Sequence, residues 1–299
     1  MTQFKQLSKL AAGLVAALMV AGTASAQELT GTLKKIKDSG SITIGHRESS
    51  VPFSYLDDKQ KPIGYSMDLC MAIVEEVKKE LALANLEVKM NPVTSQTRIP
   101  LMANGTIDLE CGSTTNNLTR QKQVAFAPIT FVTGTKLLVK KSSKIKSYKD
   151  LKGKTVVVTQ GTTNERVIKA LSDKENLNIK FLNAKDHAES ALTVISGRAA
   201  AFAMDDVLLY GQIAKAAKPK ELDVVGDYLS YDPYGIMYRK GDADFGVVVN
   251  RAIAGLMRSG EINKIYDKWF VNKLPDGAVI GMPMSPLLKA GFQLQALPE

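Results

Sequence analysis

The sequence predicts an α/β fold with two lobes, in which the second lobe is inserted into the first. Apolar strands alternate with amphipathic helices in two separate runs, one ending near residue 130 and one beginning near residue 150. Extended segments near residues 130 and 235 flank the second run, as two hinge strands would. We therefore expect residues 27–133 and 233–299 in lobe 1 and residues 134–232 in lobe 2, with a ligand cleft between the lobes.

The first run has the order β-α-β-α-β, which is typical of a layered domain with a mostly parallel sheet. Large aliphatic residues recur every four positions from 69 to 81, which predicts a helix beginning at Met67. The other elements expected before residue 95 are a helix at 29–37, a strand at 42–44, a hairpin that pairs 53–55 with 63–65, and a strand at 86–90.

A short helix and the loop after the next strand form the most informative stretch. Pro100 is tolerated only in the first turn of a helix, so Arg98 stands at or just before that helix's N-terminus. A strand at 107–109 then runs into the loop 112–117, which is rich in hydroxyls and open backbone N–H groups, and Arg120 follows. Two arginines that flank such a loop can hold an anion. Two surface arginines beside an ordinary turn are the alternative.

The second run repeats the alternation of strands and helices. The segment 155–158 consists of β-branched residues, as expected for a strand covered on both faces. Asp186 is the expected N-cap of a helix that ends near residue 196, and a turn is expected at Asp232-Pro233. The remaining predicted elements are strands at 179–182, 199–204, 224–225 and 234–238, and helices from 163, at 208–216, at 245–257 and at 262–270. The tail after Pro275 has no clear period.

The first 26 residues have the pattern of a signal peptide. A basic segment with Lys5 and Lys9 precedes an apolar run and the small-residue site Ala24-Ser25-Ala26. The apolar run is too short to span a bilayer, and no cysteine follows the site to carry a lipid. We therefore expect cleavage near Ala26 and export into a bacterial periplasm.

Charge and motif content exclude several functions. The net charge of the 299 residues is +9, and cleavage removes Lys5 and Lys9 to leave +7. The lysines are not interleaved with aromatic residues, which argues against nucleic acid as a partner. No metal-ligand cluster, catalytic motif or phosphate loop is found, so we expect no metal and no cofactor.

The two cysteines, Cys70 and Cys111, are too few for a disulfide scaffold. An oxidising compartment permits one bridge between them, but the sequence does not reveal the distance between their Cα atoms. Two buried free thiols are the favoured interpretation, and one disulfide is the alternative.

At this point the chain resembles the extracytoplasmic solute-binding proteins of polar amino-acid ABC importers, most closely the glutamate/aspartate-binding proteins. The segment 64–69, Gly-Tyr-Ser-Met-Asp-Leu, matches the family pattern Gly-aromatic-[Asp/Glu]-x-[Asp/Glu]-Leu, with Ser66 departing at the first acidic position. The matched segments 45–54, 110–117 and 184–187 are typical of dicarboxylate binders. More general matches lie at 151–154, 160–163, 196–198 and 204–206.

The resemblance implies the periplasmic-binding-protein fold and a role for each site residue. Arg120 would bind the ligand α-carboxylate bidentately, and Asp205 would pair with the α-ammonium. The hydroxyl and N–H groups that complete this pocket would come from Ser113, Thr115 and Thr163. For Asp205 an ordinary helix N-cap is the alternative, and Asp206 competes for that role.

An acidic ligand side chain should be selected by a surplus of cations. Arg47, Arg98 and His187 would supply the charge and Ser95 a hydroxyl, because a neutral ligand would leave these groups desolvated and unpaired. The alternatives are that Arg47 lies on the surface and that His187 supports its own helix. The sequence does not rank glutamate against aspartate.

We therefore expect a monomeric binding protein, not an enzyme, that closes on glutamate or aspartate and delivers it to an ABC permease at the inner membrane. The alternative is a dehydratase-type enzyme on the same fold that acts on a carboxylated substrate. An enzyme needs a placed acid or base, and the candidate acids are accounted for by ammonium binding. A sensor domain is a third interpretation, but no membrane segment or signalling module follows in this sequence.

Overall fold

The computed structural model describes residues 28–298, which contain both strands and helices. The first part contains α1 (Gly31–Ser39), β1 (Ser41–His46), β2 (Ser49–Ser50), β3 (Ser54–Leu56), β4 (Pro62–Ile63), α2 (Tyr65–Glu80), β5 (Glu87–Pro92), α3 (Arg98–Ala103), β6 (Leu109–Cys111), α4 (Leu118–Gln121), β7 (Val124–Phe126) and β8 (Phe131–Thr133). The middle part contains β9 (Thr135–Lys140), β10 (Thr155–Thr159), α5 (Thr163–Lys174), β11 (Lys180–Ala184), α6 (His187–Ile195), β12 (Ala201–Asp205), α7 (Asp206–Lys215) and β13 (Leu222–Val225). The last part contains β14 (Asp232–Tyr234), β15 (Met237–Arg239), α8 (Ala243–Arg258), α9 (Glu261–Tyr266) and α10 (Pro286–Gln295).

The predicted signal peptide and its cleavage site near Ala26 lie outside the described residues. Of the helices in residues 28–298, none is long and apolar enough to cross a bilayer. These residues form two sheet-containing lobes.

Each lobe is built on one five-stranded sheet. In lobe 1 the strand order is β5-β1-β6-β15-β7, and in lobe 2 it is β11-β10-β12-β9-β13. The strand β10 is almost entirely buried, because helices cover both faces of its sheet, as its run of β-branched residues predicts. The predicted two-lobed α/β architecture is confirmed.

The prediction of a mostly parallel sheet is confirmed, with one antiparallel strand among the five of each sheet. In lobe 1, β1 is parallel to β5 and β6, whereas β15 is antiparallel to β6 and β7. In lobe 2, β10 is parallel to β11 and β12, whereas β9 is antiparallel to β12 and β13. Both exceptions, β9 and β15, enter their sheets directly from the other lobe. Such a strand starts at the cleft and runs away from it, opposite to strands that end there.

The two lobes are joined by an antiparallel ribbon of β8 and β14. Asp232 pairs with Thr133 and Tyr234 with Phe131, so the predicted turn at Asp232-Pro233 is wrong. Proline is tolerated here because the ribbon has only two strands, and the N–H group that it lacks is not needed by a third. A further antiparallel bridge joins Tyr234 to Thr115, so the hinge contacts the loop after β6 directly.

A cluster of aromatic rings packs beside this hinge ribbon. Phe131 of β8 stacks on Phe270 with ring centroids 4.8 Å apart. Phe53 contacts Phe131, Tyr234 and Phe270 edge to face at 5.1–5.4 Å. These buried rings anchor both hinge strands in the core of lobe 1.

The cysteines form a disulfide, which corrects the interpretation as two free thiols. Cys70 on α2 and Cys111 at the end of β6 have Cα atoms 6.2 Å apart and are bonded. Both are buried. The helix packs across the sheet so that the two positions coincide, and this packing is not visible in the spacing of 41 residues.

The C-terminal tail contains a helix that the sequence analysis missed. The side chain of Ser285 caps α10 by accepting a hydrogen bond from the N–H of Leu288. Leu288 and Phe292 are buried against the core of lobe 1. The amide of Gln295 accepts from the N–H of Ile129 at 2.7 Å and donates to its carbonyl at 3.2 Å. A Ser-Pro start followed by apolar residues four positions apart was the available signal.

Candidate ligand-binding cleft

Every predicted site residue lies at or just beyond the C-terminal end of a strand, or in the helix that follows. The parallel strands of both sheets point toward the cleft, so these residues converge there. Arg47 follows β1, Ser95 precedes α3, Arg98 begins α3, Ser113 and Thr115 follow β6, Arg120 lies on α4, Thr163 begins α5, His187 begins α6, and Asp205 ends β12.

A small cavity of about 10 Å³ lies between the lobes. Seven of the nine predicted residues line it: Ser95, Arg98, Ser113, Thr115, Thr163, His187 and Asp205. Arg47 and Arg120 do not line this cavity, but both are buried beside residues that do. The alternative of surface arginines is therefore wrong for Arg47, Arg98 and Arg120, which are 1–3% exposed.

Arg120 connects the two lobes at one end of the cavity. Its Nη1 donates to the carbonyl of Thr115 at 2.9 Å, and its Nη2 donates to the carbonyl of Gly161 in lobe 2 at 3.2 Å. The hydroxyls of Thr115 and Thr163 are 3.2 Å apart across the cleft. Burial lowers the pKa of Arg120 to about 9, and the charges of Arg98 and Arg166 add to this effect. A buried guanidinium beside two hydroxyls can bind a carboxylate.

Asp205 presents a carboxylate to the same cavity. One oxygen accepts a hydrogen bond from Asn164 at 2.7 Å, and the other accepts from the hydroxyl of Tyr234. Burial raises the pKa of Asp205 to about 7, and the charge of Asp232 adds to the shift. A bound ammonium group would relieve this cost of burying the charge.

The geometry separates the roles of Asp205 and Asp206. Asp205 stands at the N-cap position of α7, but its side chain makes no capping hydrogen bond. Asp206 accepts instead from the N–H of Val207 at 2.7 Å and from the hydroxyl of Thr133 at 2.6 Å. Asp206 therefore serves the backbone and hinge, and Asp205 faces the cavity.

The other end of the cavity carries positive charge. Nη1 of Arg98 donates to the hydroxyl of Thr114 at 2.6 Å and to the carbonyl of Ser113 at 3.3 Å. Burial lowers the pKa of Arg98 and lowers that of Arg47 to about 10, with the charge of Arg98 adding to the effect on Arg47. Among the described residues, buried polar atoms without a hydrogen-bond partner at this end include Arg47 Nη1, Ser95 Oγ, Arg98 Nε, Ser113 Oγ and His187 Nε2. Burying such groups unpaired is costly unless a ligand satisfies them.

His187 does not contribute a positive charge, which corrects its interpretation as a cation. Its ring is fully buried, and burial together with the charges of Arg47 and Arg98 lowers its pKa well below 6.5. Nδ1 lies 3.1 Å from the hydroxyl of Thr159. The helix is capped by Asp186, whose side chain accepts from the N–H of Glu189, as predicted. His187 is therefore a neutral hydrogen-bonding group.

Several residues at the site were not assigned by the sequence analysis. Asn164 and Tyr234 bond to Asp205, and Asp232 accepts from the hydroxyl of Thr115 at 3.0 Å. Their partners come from distant parts of the chain, so no local pattern identifies them. Ser66, the departure from the family pattern, donates to the carbonyl of Gly112 at 2.8 Å and supports the loop after β6.

No metal-binding cluster accompanies these groups in the described part of the chain. Among residues 28–298 no group of three or more histidine, cysteine, aspartate or glutamate side chains is placed to hold a metal ion. The arrangement is that of a polar cavity lined by Asp205, Arg98 and several hydroxyls, with Arg47, Arg120 and Glu110 buried nearby.

The fold and the cleft are those of a binding protein with two lobes. An ancestral arginine-binding protein bound to glutamine is 29% identical, with a TM-score of 0.70, covering 78% of this chain and 99% of that one. An ancestral amino acid-binding protein described as a precursor of cyclohexadienyl dehydratase is 30% identical, with a TM-score of 0.68, covering 80% and 99%. Over residues 42–272 the chain matches the bacterial extracellular solute-binding proteins, family 3, and it belongs to that family.

Two curated relatives are more similar in sequence. The L-glutamate/L-aspartate-binding protein of Pseudomonas aeruginosa is 56% identical over 284 residues, which are 94% of each chain. The glutamate/aspartate import solute-binding protein of Escherichia coli is 50% identical over 293 residues, covering 96% of this chain and 97% of that one. The predicted resemblance is confirmed.

Proposed function

We propose that this chain binds glutamate or aspartate between its lobes and delivers it to an ABC importer permease. The observation that carries the proposal is the presence of two kinds of subsite around one cleft. Arg120 and Asp205 at one end match the α-carboxylate and α-ammonium that every amino acid has. Arg47 and Arg98 at the other end match a second carboxylate.

The two ends have different consequences for selectivity. The first end treats all α-amino acids alike. At the second end, buried Arg47 and Arg98 need a negative partner, with Ser95 and the neutral His187 as hydrogen-bonding groups. Glutamine is close in shape to glutamate but does not neutralise the arginines. A loss of about 3–5 kcal/mol corresponds to discrimination on the order of a hundred- to several-thousandfold.

The rest of the proposal concerns location and assembly. The mature protein is a monomer in the periplasm, produced by cleavage near Ala26, and its permease lies in the inner membrane. Residues 27–133 with 233–299 and residues 134–232 move as the two lobes. Support comes from the hinge ribbon and from the names of the relatives as import solute-binding proteins.

The test is calorimetric titration with glutamate, aspartate, glutamine and asparagine at one salt concentration. Arg47→Met and Arg98→Met should each narrow the gap between glutamate and glutamine, mainly by weakening glutamate. Arg198→Met is the matched control, because Arg198 is an exposed arginine that follows the C-terminal end of α6. A parent protein that binds glutamine within about threefold of glutamate would exclude the second cationic subsite.

Recovery of the ligand separates a binding protein from the enzymatic alternative. The relatives at 50% identity or more are named as binding proteins, which does not favour the dehydratase interpretation. After incubation with candidate amino acids and keto-acids, chromatography should return every compound unchanged. A new product that depends on the protein would contradict the proposal.

A further inference from the structure

Glu110 is a buried carboxylate in the cationic half of the site to which the proposed function gives no role. It lies in β6 and is fully buried. One oxygen, Oε1, is 4.0 Å from Nη1 of Arg98 and has no hydrogen-bond partner. The other, Oε2, accepts a hydrogen bond from the hydroxyl of Thr114. That hydroxyl in turn accepts from Nη1 of Arg98 at 2.6 Å.

The relay from Arg98 through Thr114 to Glu110 keeps the two charges near each other but not in direct contact. Thr114 can donate to only one group, and it donates to Glu110 while it accepts from Arg98. Nε of Arg98 has no hydrogen-bond partner. A direct bidentate pair with Glu110 would instead occupy the guanidinium.

Gly112, which has no side chain, leaves room for the carboxylate of Glu110. A Cβ atom at this position would lie 2.3 Å from Oε1 of Glu110 and 2.8 Å from Cγ of Arg47. The side chains of Glu110 and Arg47 thus both pack against the backbone of Gly112. The loop therefore has room for a carboxylate close to both arginines.

The charge of Glu110 changes the net charge of the cationic subsite. Arg47 and Arg98 contribute two positive charges, His187 is neutral, and Glu110 contributes one negative charge. Asp186, half-buried at the N-cap of α6, acts on Arg47 more weakly than Glu110 does. The subsite is left with about one net positive charge, which a single ligand carboxylate balances.

We propose that Glu110 is the internal counter-ion of the cationic subsite and, through Thr114 and Arg98, sets how strongly the cleft prefers a charged over a neutral ligand side chain. This inference rests on the proposed function. Glu110 is a positioning residue, since it acts on the ligand through Arg98. Its negative charge lowers the attraction for the ligand carboxylate while it makes two buried arginines tolerable.

Two variants of this relay have opposite expected effects. Glu110→Gln keeps the shape and an acceptor for Thr114 but removes the charge, so the ratio of glutamate to glutamine affinity should rise by at least about tenfold. Thr114→Val keeps the charge but removes the intervening hydroxyl. Arg98 then closes onto Glu110, and the ratio should fall several-fold. A merely structural role would weaken both ligands in parallel and leave the ratio unchanged.

The experiment is calorimetry with glutamate and glutamine on the parent and both variants, with folding checked by circular dichroism. Asp108→Asn is the matched control. Asp108 is a buried carboxylate of the same lobe, lies away from the cleft, and forms an ion pair with Lys35 at 2.8 Å. Its replacement should lower stability and leave the ratio at the parent value.

The outcomes separate this inference from the proposed function. A parent without preference for glutamate overturns the proposed function, and this inference with it. A parent preference with unchanged ratios in both variants overturns the inference alone. If Glu110→Gln does not fold, the Thr114→Val ratio decides: a fall supports the relay and a value within about twofold of the parent overturns it.

Discussion

The raised pKa of Asp205 predicts that ligand affinity falls as the pH is lowered through neutrality. If Asp205 must be ionised to pair with the α-ammonium, affinity follows its ionised fraction. With a pKa of about 7, Asp205 is about 90% ionised at pH 8 and about 3% ionised at pH 5.5, so glutamate should bind about 30-fold more weakly at the lower pH. Affinity should fall as the pH falls, because protonation of Asp205 removes the negative charge that attracts the ligand ammonium.

Other groups at the site should not produce this dependence. His187 stays neutral because its pKa lies well below 6.5. Arg120 stays charged below pH 8, since its pKa is about 9. The ligand carboxylates have ordinary pKa values near 4 or below and remain ionised above pH 5.5. The change between pH 8 and pH 5.5 therefore reports Asp205.

The assay is calorimetric titration of glutamate at half-unit steps of pH and constant ionic strength. The Asp205→Asn variant should lose about 2–5 kcal/mol of binding free energy for glutamate, and its affinity should not change with pH. If the parent affinity at pH 5.5 stays within about twofold of that at pH 8, Asp205 does not hold the ammonium and the reasoning fails.

Three further predictions concern binding, stability and closure. Arg120→Ala should weaken glutamate, aspartate and glutamine by a similar factor, about 2–5 kcal/mol each, and calorimetry that finds a change in ranking would show that its role is misassigned. Replacing Cys70 and Cys111 together by serine should lower the free energy of unfolding by about 2–4 kcal/mol, since the bridge closes a loop of 41 residues. Urea unfolding measures this, and equal stability of both proteins would contradict it. Because Arg120 contacts Gly161 across the cleft, ligand should favour the closed state, and small-angle scattering should show a smaller radius of gyration with glutamate. An unchanged radius at saturation would count against hinge closure.

The positions of most elements follow from local patterns. The β-branched run of β10 and the four-residue periodicity of α2 predict a strand and a helix because they match the periods of those structures. Pro100 placed Arg98 correctly at the start of α3. The missed helix α10 had a local signal, its Ser285-Pro286 start, that was not used.

The candidate residues also follow from local position, since all nine lie at or beyond strand ends or in the following helices, where ligands bind in α/β folds. The protonation states of these residues do not follow from their position in the sequence. Whether His187 is charged depends on its burial and on Arg47 and Arg98, which approach it from the other lobe. The same holds for Asp205, whose pKa is set by burial and by Asp232 of the hinge.

The sequence by itself determined the order of strands and helices, the two-lobed architecture and the residue types at the cleft. These depend on periodicity, composition and chain order, which are local or sequential properties. The tertiary structure alone decided the antiparallel entry of β9 and β15, the disulfide between Cys70 and Cys111, and the relay from Arg98 to Glu110. Each of these depends on distances between elements far apart in the chain, and such distances exist only once the helices have packed on the sheets.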